Sequence, residues 1–414
     1  NLPVTLNTSG SYYLTTNLTG ASGEQGILIN QHNITVDLMG FELRGVPGSA
    51  SGVFVSGSLS NLCVRNGVIS GWNSRGVSGS SARNSQWLDL RVSGNSFGGL
   101  EAGANSLVRG CSVAANGGTG ILVGNLSLVE SCIVQGQLGD GINAGDAVRV
   151  ATCNVYGCGQ NGIVTGRGGV VVSSITVSNG ANGVLAGDES AVADCAARQN
   201  LSVGIAVGQD SQVRNSLALT NGSTGLELGD GSSARGCTVR QNLGTGIRGN
   251  FNPAQRCEVN YCVVSQNSAR GIDVESSRVT GCLVVSNATD GISCRRSTIL
   301  ENQCVGHTTT FAAGIMSLGQ SVIQKNVCEQ NTYGIYTFLN SLGNHLEGNT
   351  VIENTIGIYI TGGVLNQSRN NLVIRNAARG NGTDYDIYSD NTVGPIVTKA
   401  SIATNSNPHA NYQF

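Results

Sequence analysis

Residues 120–142 read GILVGNLSLVESCIVQGQLGDGI and contain one full unit of the repeat that decides the fold. The unit opens on a glycine followed by an apolar residue, and such a pair returns every 21 residues. The pairs that keep this spacing are Gly99-Leu100, Gly120-Ile121, Gly141-Ile142, Gly162-Ile163, Gly183-Val184, Gly204-Ile205, Gly225-Leu226 and Gly246-Ile247. A constant spacing of this kind indicates a solenoid, in which each repeat forms one coil and buries its apolar face against its neighbours.

The pattern inside each unit predicts strands. Apolar residues alternate after the glycine, as in Ile121 and Val123 or Leu226 and Leu228, with Gly, Asn and Ser between the apolar segments. Alternation over short segments bounded by turn formers is typical of β-strands, and no segment of ten or more residues shows helical periodicity. The repeat therefore predicts a coil made of short strands.

Two further columns keep the same step. Nine residues before each glycine stand small, soft side chains: Cys111, Cys132, Cys153, Ser174, Cys195, Ser216, Cys237, Cys262 and Cys282. Four residues before each glycine stand Asn95, Asn116, Gln137, Cys158, Asn179, Asn200, Asn221, Asn242, Asn267 and Asn287. The first column suits a narrow interior, and the second predicts an asparagine ladder, because an Asn at a turn bonds both backbone and neighbouring side chains.

We therefore predict an all-β protein, a single right-handed parallel β-helix of about 15 coils. One domain is expected overall, with N-terminal strands and the first coil in residues 1–45, the β-helix in 46–390 and an irregular tail in 391–414. After Ile247 the glycine step varies between 20 and 25 residues, so extra residues must loop outward. The predicted loops are 251–257 and 307–311, and loops on a rigid solenoid often bind ligands.

Composition narrows the function classes. The chain has 414 residues, with 60 Gly, 12% charged residues and a net charge of −2, so nothing indicates a nucleic-acid partner. No apolar run approaches membrane-spanning length. The sequence opens at Asn1 without a methionine or a basic and apolar leader, which is typical of a mature secreted chain. We expect a secreted or cell-surface protein.

Most of the 13 cysteines fall in the column nine residues before the glycine. Side chains in one parallel file point the same way, which is poor geometry for disulfides, so free buried thiols are expected. Cys63, Cys158, Cys257 and Cys294 lie off that file, and a disulfide involving them is the open alternative. The histidines (His32, His307, His345, His409) are scattered and there is no Cys-x-x-Cys, so no metal site and no cofactor are predicted.

The repeat, with units that read N-x-x-x-G-I-x-V, resembles the right-handed parallel β-helix proteins of pectate-lyase-like topology, especially bacterial secreted ones. Residues 6–14 (LNTSGSYYL) and 34–44 (ITVDLMGFELR) look like the start of that repeat domain. The resemblance implies the fold over nearly the whole chain. It leaves function open, because the group includes polysaccharide lyases, hydrolases, epimerases, tailspikes and adhesins. The Asp-Pro-His motif of alginate epimerases and the motifs of polygalacturonases are absent, and with only Lys325 and Lys399 a lysine-based lyase site is hard to build.

The outer side of the Gly-Ile strand is where related enzymes keep their sites. Charged residues gather there over four coils, and the candidate catalytic set is Glu227, Arg248, Arg270, Asp273, Glu275 and Asp290, with Arg295 and Arg296 beside it. A carboxylate there would act as acid or base, and an arginine would neutralise an anionic sugar. The alternative, which we favour, is structural: by register Arg248 lies between Glu227 and Asp273, Arg270 beside Asp290, and Glu275 beside Arg295.

Apolar and aromatic residues occupy the same outward position on other coils. Leu122, Val164, Leu185 and Ala206 form an apolar run that another chain would cover, and no amphipathic helix caps either end, which favours self-association. Tyr336, Tyr359 and Tyr388 are predicted to follow one another on successive coils, with Tyr333 and Tyr385 just before the strands. Such a strip either stacks on sugar rings, forms an interface, or only stabilises the terminal coils.

Two hypotheses follow. The first is an extracellular, non-catalytic β-solenoid, structural or adhesive, that self-associates and contacts glycans. The alternative is a polysaccharide lyase or glycoside hydrolase that acts on the outer face of the Gly-Ile strand. The lack of any matched catalytic motif favours the first.

Overall fold

A computed structural model of the chain describes residues 2–249, 256–362 and 367–414. The protein is all-β, a parallel β-solenoid with about 18 coils of about 21 residues. It forms two compact units, Asn1–Val207 and Gly208–Phe414. Each coil contributes one strand to each of three faces. Face 1 holds the strands of the Gly-Ile pairs, and faces 2 and 3 hold the two strands that follow.

In the first unit, face 1 contains Val4–Leu6, Ile27–Ile29, Val53–Val55, Arg75–Gly79, Gly98–Ala102, Ile121–Val123, Ile142–Ala144, Ile163–Thr165, Val184–Ala186 and Ile205–Val207. Face 2 contains Gly10–Tyr13, Ile34–Asp37, Leu107–Arg109, Leu128–Glu130, Arg149–Ala151, Val170–Val172 and Ala191–Ala193. Face 3 contains Leu18–Thr19, Glu42–Arg44, Ser112–Ala114, Ile133–Gln135, Asn154–Tyr156, Ile175–Val177 and Ala196–Arg198. Two longer strands, Cys63–Ser70 and Gln86–Ser93, run through both faces 2 and 3.

In the second unit, face 1 contains Leu226–Leu228, Ile247–Gly249, Ile272–Glu275, Ile292–Arg295, Ala313–Ser317, Tyr333–Thr337, Ile356–Ile360 and Thr383–Ile387. Face 2 contains Gln212–Arg214, Ser233–Arg235, Glu258–Asn260, Arg278–Thr280, Thr298–Leu300, Val322–Gln324, His345–Glu347, Leu372–Ile374 and Thr392–Val393. Face 3 contains Leu217–Leu219, Thr238–Arg240, Val263–Ser265, Leu283–Val285, Gln303–Val305, Val327–Glu329, Thr350–Ile352 and Ala377–Arg379. The chain ends with Ile396–Thr398, the 3-10 helix Ile402–Thr404 and the strand Asn411–Gln413.

Strand pairing follows the sequence repeat. Ile121 pairs with Ile142 and Leu122 with Asn143, in parallel and 21 residues apart. Ile121 and Val123 point inward and are buried, while Leu122 between them faces outward, as alternation in a strand requires. The inward column of Ile, Val and Leu forms the core, and the predicted register is confirmed.

The Gly before each Ile is required by close backbone approach. A Cβ on Gly120 would lie 2.7 Å from the carbonyl oxygen of Gly141 and 2.6 Å from a methyl group of Val134. Contacts under 3 Å mean that any side chain would push neighbouring coils apart, so the constant glycine follows from coil stacking.

The corners between faces are made by single residues in the left-handed region. Asn105, Ser131 and Ala115 have φ of 55°, 54° and 52° and stand at the three corners of one stretch of chain. For a residue other than glycine, this left-handed conformation costs about 1–2 kcal/mol relative to the right-handed one. The residue that follows each of them turns inward, which places Ser106, Cys132 and Asn116 inside the coil.

The asparagine ladder is present. Asn267 donates from Nδ2 to Asn287 Oδ1 at 2.9 Å, and its own Oδ1 accepts from Asn242 Nδ2 at 2.9 Å. In the first unit Asn95 donates in the same way to Asn116. These amides are buried, and an unpaired one would cost about 1–3 kcal/mol, so the ladder fixes the coil spacing.

All thirteen cysteines lie in the described part of the chain and are free thiols, and only Cys63 is partly exposed. The prediction of free buried thiols is therefore confirmed, and the structure pairs none of the four off-file cysteines. Cys304 and Cys328, which also lie off the file, face the interior of face 3 at paired positions. Within the described residues, no helix is long and apolar enough to cross a membrane.

Three sequence predictions need correction. About 18 coils replace the predicted 15, because strands without a Gly-Ile pair, such as Val4–Leu6 and Thr383–Ile387, also complete coils. In the last coil Tyr359 pairs with Asp386, so Tyr388 does not stand at the outward position predicted for it. No Gly-Ile pair marks the register there. Tyr333 and Tyr385, predicted just before their strands, lie within them, and Tyr385 donates to the carbonyl of Asn376.

Candidate functional site

Two columns of side chains face outward on face 1. The first, two residues after each glycine, was predicted. In the second unit it pairs Glu227 with Arg248, Arg248 with Asp273, Asp273 with Ser293 and Ser293 with Met316. The second column, one residue before each glycine, was not recognised as a column in the sequence. It brings Arg270, Asp290, Ala313 and Tyr333 onto the same surface.

Arg270 joins the two columns. Its Nη1 donates to Asp273 Oδ2 at 2.8 Å, and its Nε lies 3.5 Å from Asp290 Oδ2. The side chains of Asp273 and Asp290 are 9% and 8% exposed, so one guanidinium holds two nearly buried carboxylates. The cluster of Arg270, Asp273 and Asp290 carries one more negative than positive charge when all three are ionised.

Burial determines the protonation of this cluster. Loss of water around Asp290 raises its pKa, although the backbone N–H of Ala313, at 3.0 Å, and Arg270 both favour the carboxylate. Burial alone would lower the pKa of Arg270, but Asp273 and Asp290 outweigh that effect and the net shift is upward. Arg270 therefore stays charged, and Asp290 holds its proton more tightly than a free aspartate.

The remaining charged candidates separate from this cluster. Glu275 pairs with Arg295, whose Nε lies 3.8 Å away, and makes a short ion pair with Arg296. Among the described residues, the ion-pair partners of Glu275 are thus Arg295 and Arg296 rather than Arg270. The register of Arg248 between Glu227 and Asp273 is as predicted. The six candidates thus divide into a Glu227–Arg248 row, the Arg270 cluster and the Glu275 pairs.

Next to the Arg270 cluster lies a stack of tyrosines. The ring of Tyr333 lies 5.0 Å from Tyr336 and 5.2 Å from Tyr359, and Tyr336 lies 5.4 Å from Tyr359. The interplanar angles are between 14° and 29°, and Phe338 meets Tyr336 edge-on at 5.8 Å. Met316 and Ala313 pack against these rings.

The environment of the stack also raises the pKa of the Tyr336 hydroxyl group. Burial, with smaller contributions from Tyr359 and Tyr333, raises the pKa of Tyr336 to about 12. The hydroxyl of Tyr336 is therefore protonated at neutral pH and available as a hydrogen-bond donor.

A groove of about 450 Å³ connects the charged cluster with the aromatic stack. Arg270 and Asp290 line one part of it, and Met316, Tyr336 and Phe338 line another. The loop that contains Phe311 forms its rim. The groove therefore offers apolar rings and a few fixed polar groups, the composition typical of small-ligand sites.

The loop around Phe311 was predicted, but its role in a groove was not. His307 is fully buried and takes an asparagine position, with Nδ1 2.8 Å from Asn331 Oδ1, so it anchors the start of the loop. Phe311 is 66% exposed and has a φ of 65°, a left-handed conformation that is rare for a bulky residue. The signal for the loop was the 23-residue glycine step between Gly291 and Gly314. The other predicted loop, 251–257, lies mostly outside the described residues.

A buried hydroxyl in the outward column near the groove lacks a partner. Ser293 stands between Asp273 and Met316 in the outward column, yet it is fully buried, and its Oγ forms no hydrogen bond with any described residue. Buried hydroxyls are normally bonded. The outward column is therefore buried at Ser293, which the alternation of the sequence could not indicate.

The fold and the groove define a parallel β-solenoid with a ligand-sized depression on face 1. The sequence matches the family described as the right handed beta helix region over residues 141–279 and 250–394. This chain therefore belongs to the right-handed β-helix family. No protein in the curated set matches the sequence.

Solved structures of similar fold come from several proteins. A double mutant of the periplasmic alginate epimerase AlgG is 14% identical, with a TM-score of 0.47 over 68% of this chain and 78% of that chain. The mannuronan C-5 epimerase AlgE4 A-module of Azotobacter vinelandii is 12% identical, with a TM-score of 0.35 over 71% and 86%. A mutant tailspike of E. coli bacteriophage HK620 in complex with a pentasaccharide is 12% identical, with a TM-score of 0.30 over 99% and 71%.

Proposed function

We propose that this protein is an extracellular, non-catalytic β-solenoid that binds a polysaccharide in the groove of the second unit. The observation that carries the proposal is a groove lined by both Arg270 and Asp290 and by Tyr336, the tyrosine through which the stack with Tyr333 and Tyr359 reaches the groove. Flat rings pack against the apolar faces of sugars, and the polar groups satisfy hydroxyls.

The charges in the groove favour a neutral polysaccharide. The guanidinium of Arg270 is already balanced by Asp273 and Asp290, so the cluster has no surplus positive charge for an acidic sugar. An anionic unit would meet a net negative cluster, which costs binding energy. Because a carboxylate oxygen can accept more than one hydrogen bond, the cluster suits the hydroxyl groups of a neutral sugar.

A glycoside hydrolase is the second candidate, favoured by the raised pKa of Asp290. A general acid must hold its proton near neutral pH, and burial of Asp290 acts in that direction. However, both oxygens of Asp290 already face donors, Ala313 N–H on one side and Arg270 on the other. The site supports binding better than proton transfer, because neither oxygen is directed to a substrate alone.

Self-association remains part of the proposal. In the first unit Leu185 is 36% exposed on the outer side of face 1, while Leu122, Val164 and Ala206 are half-buried. A second copy of the chain covering this row would remove Leu185 from water. Sedimentation velocity over a range of concentrations checks this, and a monomer at all concentrations would contradict it.

Affinity electrophoresis tests the binding. Native gels that contain a neutral polysaccharide (dextran, xyloglucan or galactomannan) or an acidic one (pectate or alginate) are compared with blank gels. Retardation by a neutral polymer, lost in the Tyr336→Ala/Tyr359→Ala double variant, supports the proposal. Tyr13→Ala is the matched control, because Tyr13 is 69% exposed and lies in the first unit.

Four other results would be informative. Loss of assembly with a folded monomer would make the stack an interface, and loss of thermal stability alone would make it structural. Release of reducing sugar that disappears in Asp290→Asn would favour the hydrolase. Retardation only by acidic polymers would contradict the neutral ligand.

A further inference from the structure

A second pocket lies on the outer side of face 1 in the first unit. Its volume is about 240 Å³, and it is lined by Arg75, Phe97, Glu101 and the glycines at 98, 99 and 118. Leu122, from the predicted apolar row, also lines it, but none of the predicted charged or tyrosine candidates does. Its volume is below the range of drug-sized sites, which begins at about 300 Å³, so it suits a single small ring.

The opening exists because a side chain is missing from the outward column. Gly98 pairs with Arg75 on the preceding strand, at the position one residue before the glycine of the repeat. A Cβ on Gly98 would lie 3.3 Å from the carbonyl oxygen of Thr119 and 3.7 Å from Arg75 Cγ. Any larger side chain at Gly98 would occupy the space beside Arg75.

Three different chemical groups meet at this opening. Arg75 Nε lies 3.3 Å from Glu101 Oε2, and the Arg75 guanidinium carbon lies 5.2 Å from the centre of the Phe97 ring. The Glu101 side chain is only 12% exposed, whereas Phe97 is 63% exposed. Among the described residues, Glu101 is the only carboxylate paired with Arg75, so the terminal nitrogens of Arg75 remain as donors.

The backbone holds Phe97 in place. Its N–H donates to the carbonyl of Ser74 at 2.9 Å, and its own carbonyl oxygen would lie 1.9 Å from a Cβ on Gly118, so only glycine fits there. An exposed phenyl ring on a fixed backbone, with one donor and one acceptor beside it, is pre-organised for a ligand.

We propose that this pocket binds a single neutral pyranose unit. The apolar side of the sugar packs against Phe97, one hydroxyl accepts from the terminal nitrogens of Arg75, and a neighbouring hydroxyl donates to Glu101. The ligand is neutral because Glu101 balances the charge of Arg75 at 3.3 Å. This proposal does not rest on the groove of the second unit.

The chain provides a matched control for the ring and the cation. Arg235 lies 5.4 Å from the ring of Tyr261, nearly the same geometry as Arg75 and Phe97, and Tyr261 is 58% exposed. No carboxylate pairs with Arg235 among the described residues, and this pair lies outside the pocket. A cation and a ring alone therefore predict no sugar binding there.

Saturation-transfer NMR with the full chain tests the proposal, using methyl glycosides of glucose, galactose and mannose, and galacturonate. The Tyr336→Ala/Tyr359→Ala variant serves as background, so that the groove does not contribute. Phe97→Ala, Arg75→Gln and Gly98→Val should each weaken binding of the neutral glycoside at least about tenfold, equivalent to about 1.4 kcal/mol. Arg235→Gln and Tyr261→Ala should leave its affinity unchanged.

The outcomes of this NMR test can be distinguished from those of the gel test of the groove. Binding of a neutral glycoside that persists in the background variant and falls in the three pocket variants supports the proposal, even if no polysaccharide is retained in gels. If no neutral glycoside binds, if galacturonate binds more tightly, or if the Arg235 and Tyr261 variants lose binding equally, the proposal is wrong. Thermal melts of each variant exclude unfolding as the cause, and Gly98→Val is judged only if it melts as the background does.

Discussion

Tyr333 and Tyr359 stack with ring centres 5.2 Å apart and planes at 14°, although the two residues occupy different positions of the repeat. Tyr333 stands one residue before a glycine, and Tyr359 stands two residues after the next one. Tyr333 pairs in the strand with Ile356, not with Tyr359. The stack is therefore built across the two outward columns, and it is compact rather than a single file of rings.

Phe311 gives the first prediction. Its left-handed φ of 65° suits glycine, so Phe311→Gly should leave stability unchanged or raise it by up to about 1 kcal/mol. The same change removes a ring from the rim of the groove, and we expect weaker retardation by neutral polysaccharides. Native gels and thermal melts on one preparation measure both effects. Unchanged retardation would remove Phe311 from the binding site.

Asp290 gives a prediction on pH. Its pKa in the folded chain is raised above the ordinary 3.8, so the stability contributed by its proton is fully present below that value and is lost as pH rises through the raised pKa. Asp290→Asn keeps an oxygen for Ala313 N–H and has no proton to lose. Urea unfolding at several pH values from about 3.5 to 6 measures this. As pH rises, the free energy of unfolding of the variant should increase relative to that of the wild type. A difference in unfolding free energy that stays constant with pH would show that the pKa of Asp290 is not shifted.

Replacing Arg248 and replacing Arg270 are expected to lower stability by different amounts. Arg248 lies on the exposed row between Glu227 and Asp273, so Arg248→Ala should cost roughly 1 kcal/mol and change no binding. Arg270→Ala leaves two nearly buried carboxylates without their common partner and should cost about 2 kcal/mol, less than for a fully buried pair because Arg270 is 36% exposed. Equal costs in urea unfolding would contradict the central position of Arg270.

The cysteine file gives a prediction for the interior. Cys132, Cys195 and Cys237 are at most 3% exposed, and burial raises the pKa of Cys195 to about 11, so thiol reagents should label none of them before denaturation. Cys63, the partly exposed thiol, is the positive control. Rapid native labelling of all three would be inconsistent with the register.

Two substitutions at Cys195 in the same column should differ in their effect on stability. Cys195→Asp would bury an unpaired charge and should cost on the order of 3 kcal/mol or more. Cys195→Ser should cost much less, because Ser174 occupies the same position on the preceding coil and donates to the carbonyl of Val172. Thermal melts of both variants give the comparison, and similar melting temperatures would refute the buried position.

Asn267 tests the ladder. Asn267→Ala would leave the backbone N–H of Asn242 without its acceptor, at about 1–3 kcal/mol if it stays buried, while the side-chain amide of Asn242 would lose one of its acceptors and keep the carbonyl oxygens of Ala218 and Arg240. Asn260→Ala is the control, because Asn260 lies on a neighbouring strand and bonds only at the surface. Equal unfolding free energies for the two variants would show that the ladder contributes little.

The sequence by itself determined the coil, the strand register and the direction of most side chains. In a solenoid each residue contacts the residue one coil away, so a spacing of 21 along the chain becomes a neighbour in space. For that reason the pairs Glu227–Arg248 and Glu275–Arg295, the thiols and the asparagine ladder could all be predicted.

The tertiary structure alone decided which outward residues form a site. The backbone at each glycine keeps both the glycine and the following residue inside, which turns the preceding residue outward and brings Arg270, Asp290 and Tyr333 beside the predicted column. The loop that carries Phe311 then forms a rim of the groove on that surface, and the last coil, with no Gly-Ile pair, places Asp386 where Tyr388 was expected. These outcomes depend on how irregular segments fold back over the coils, and a periodic pattern contains no information about residues that depart from the period.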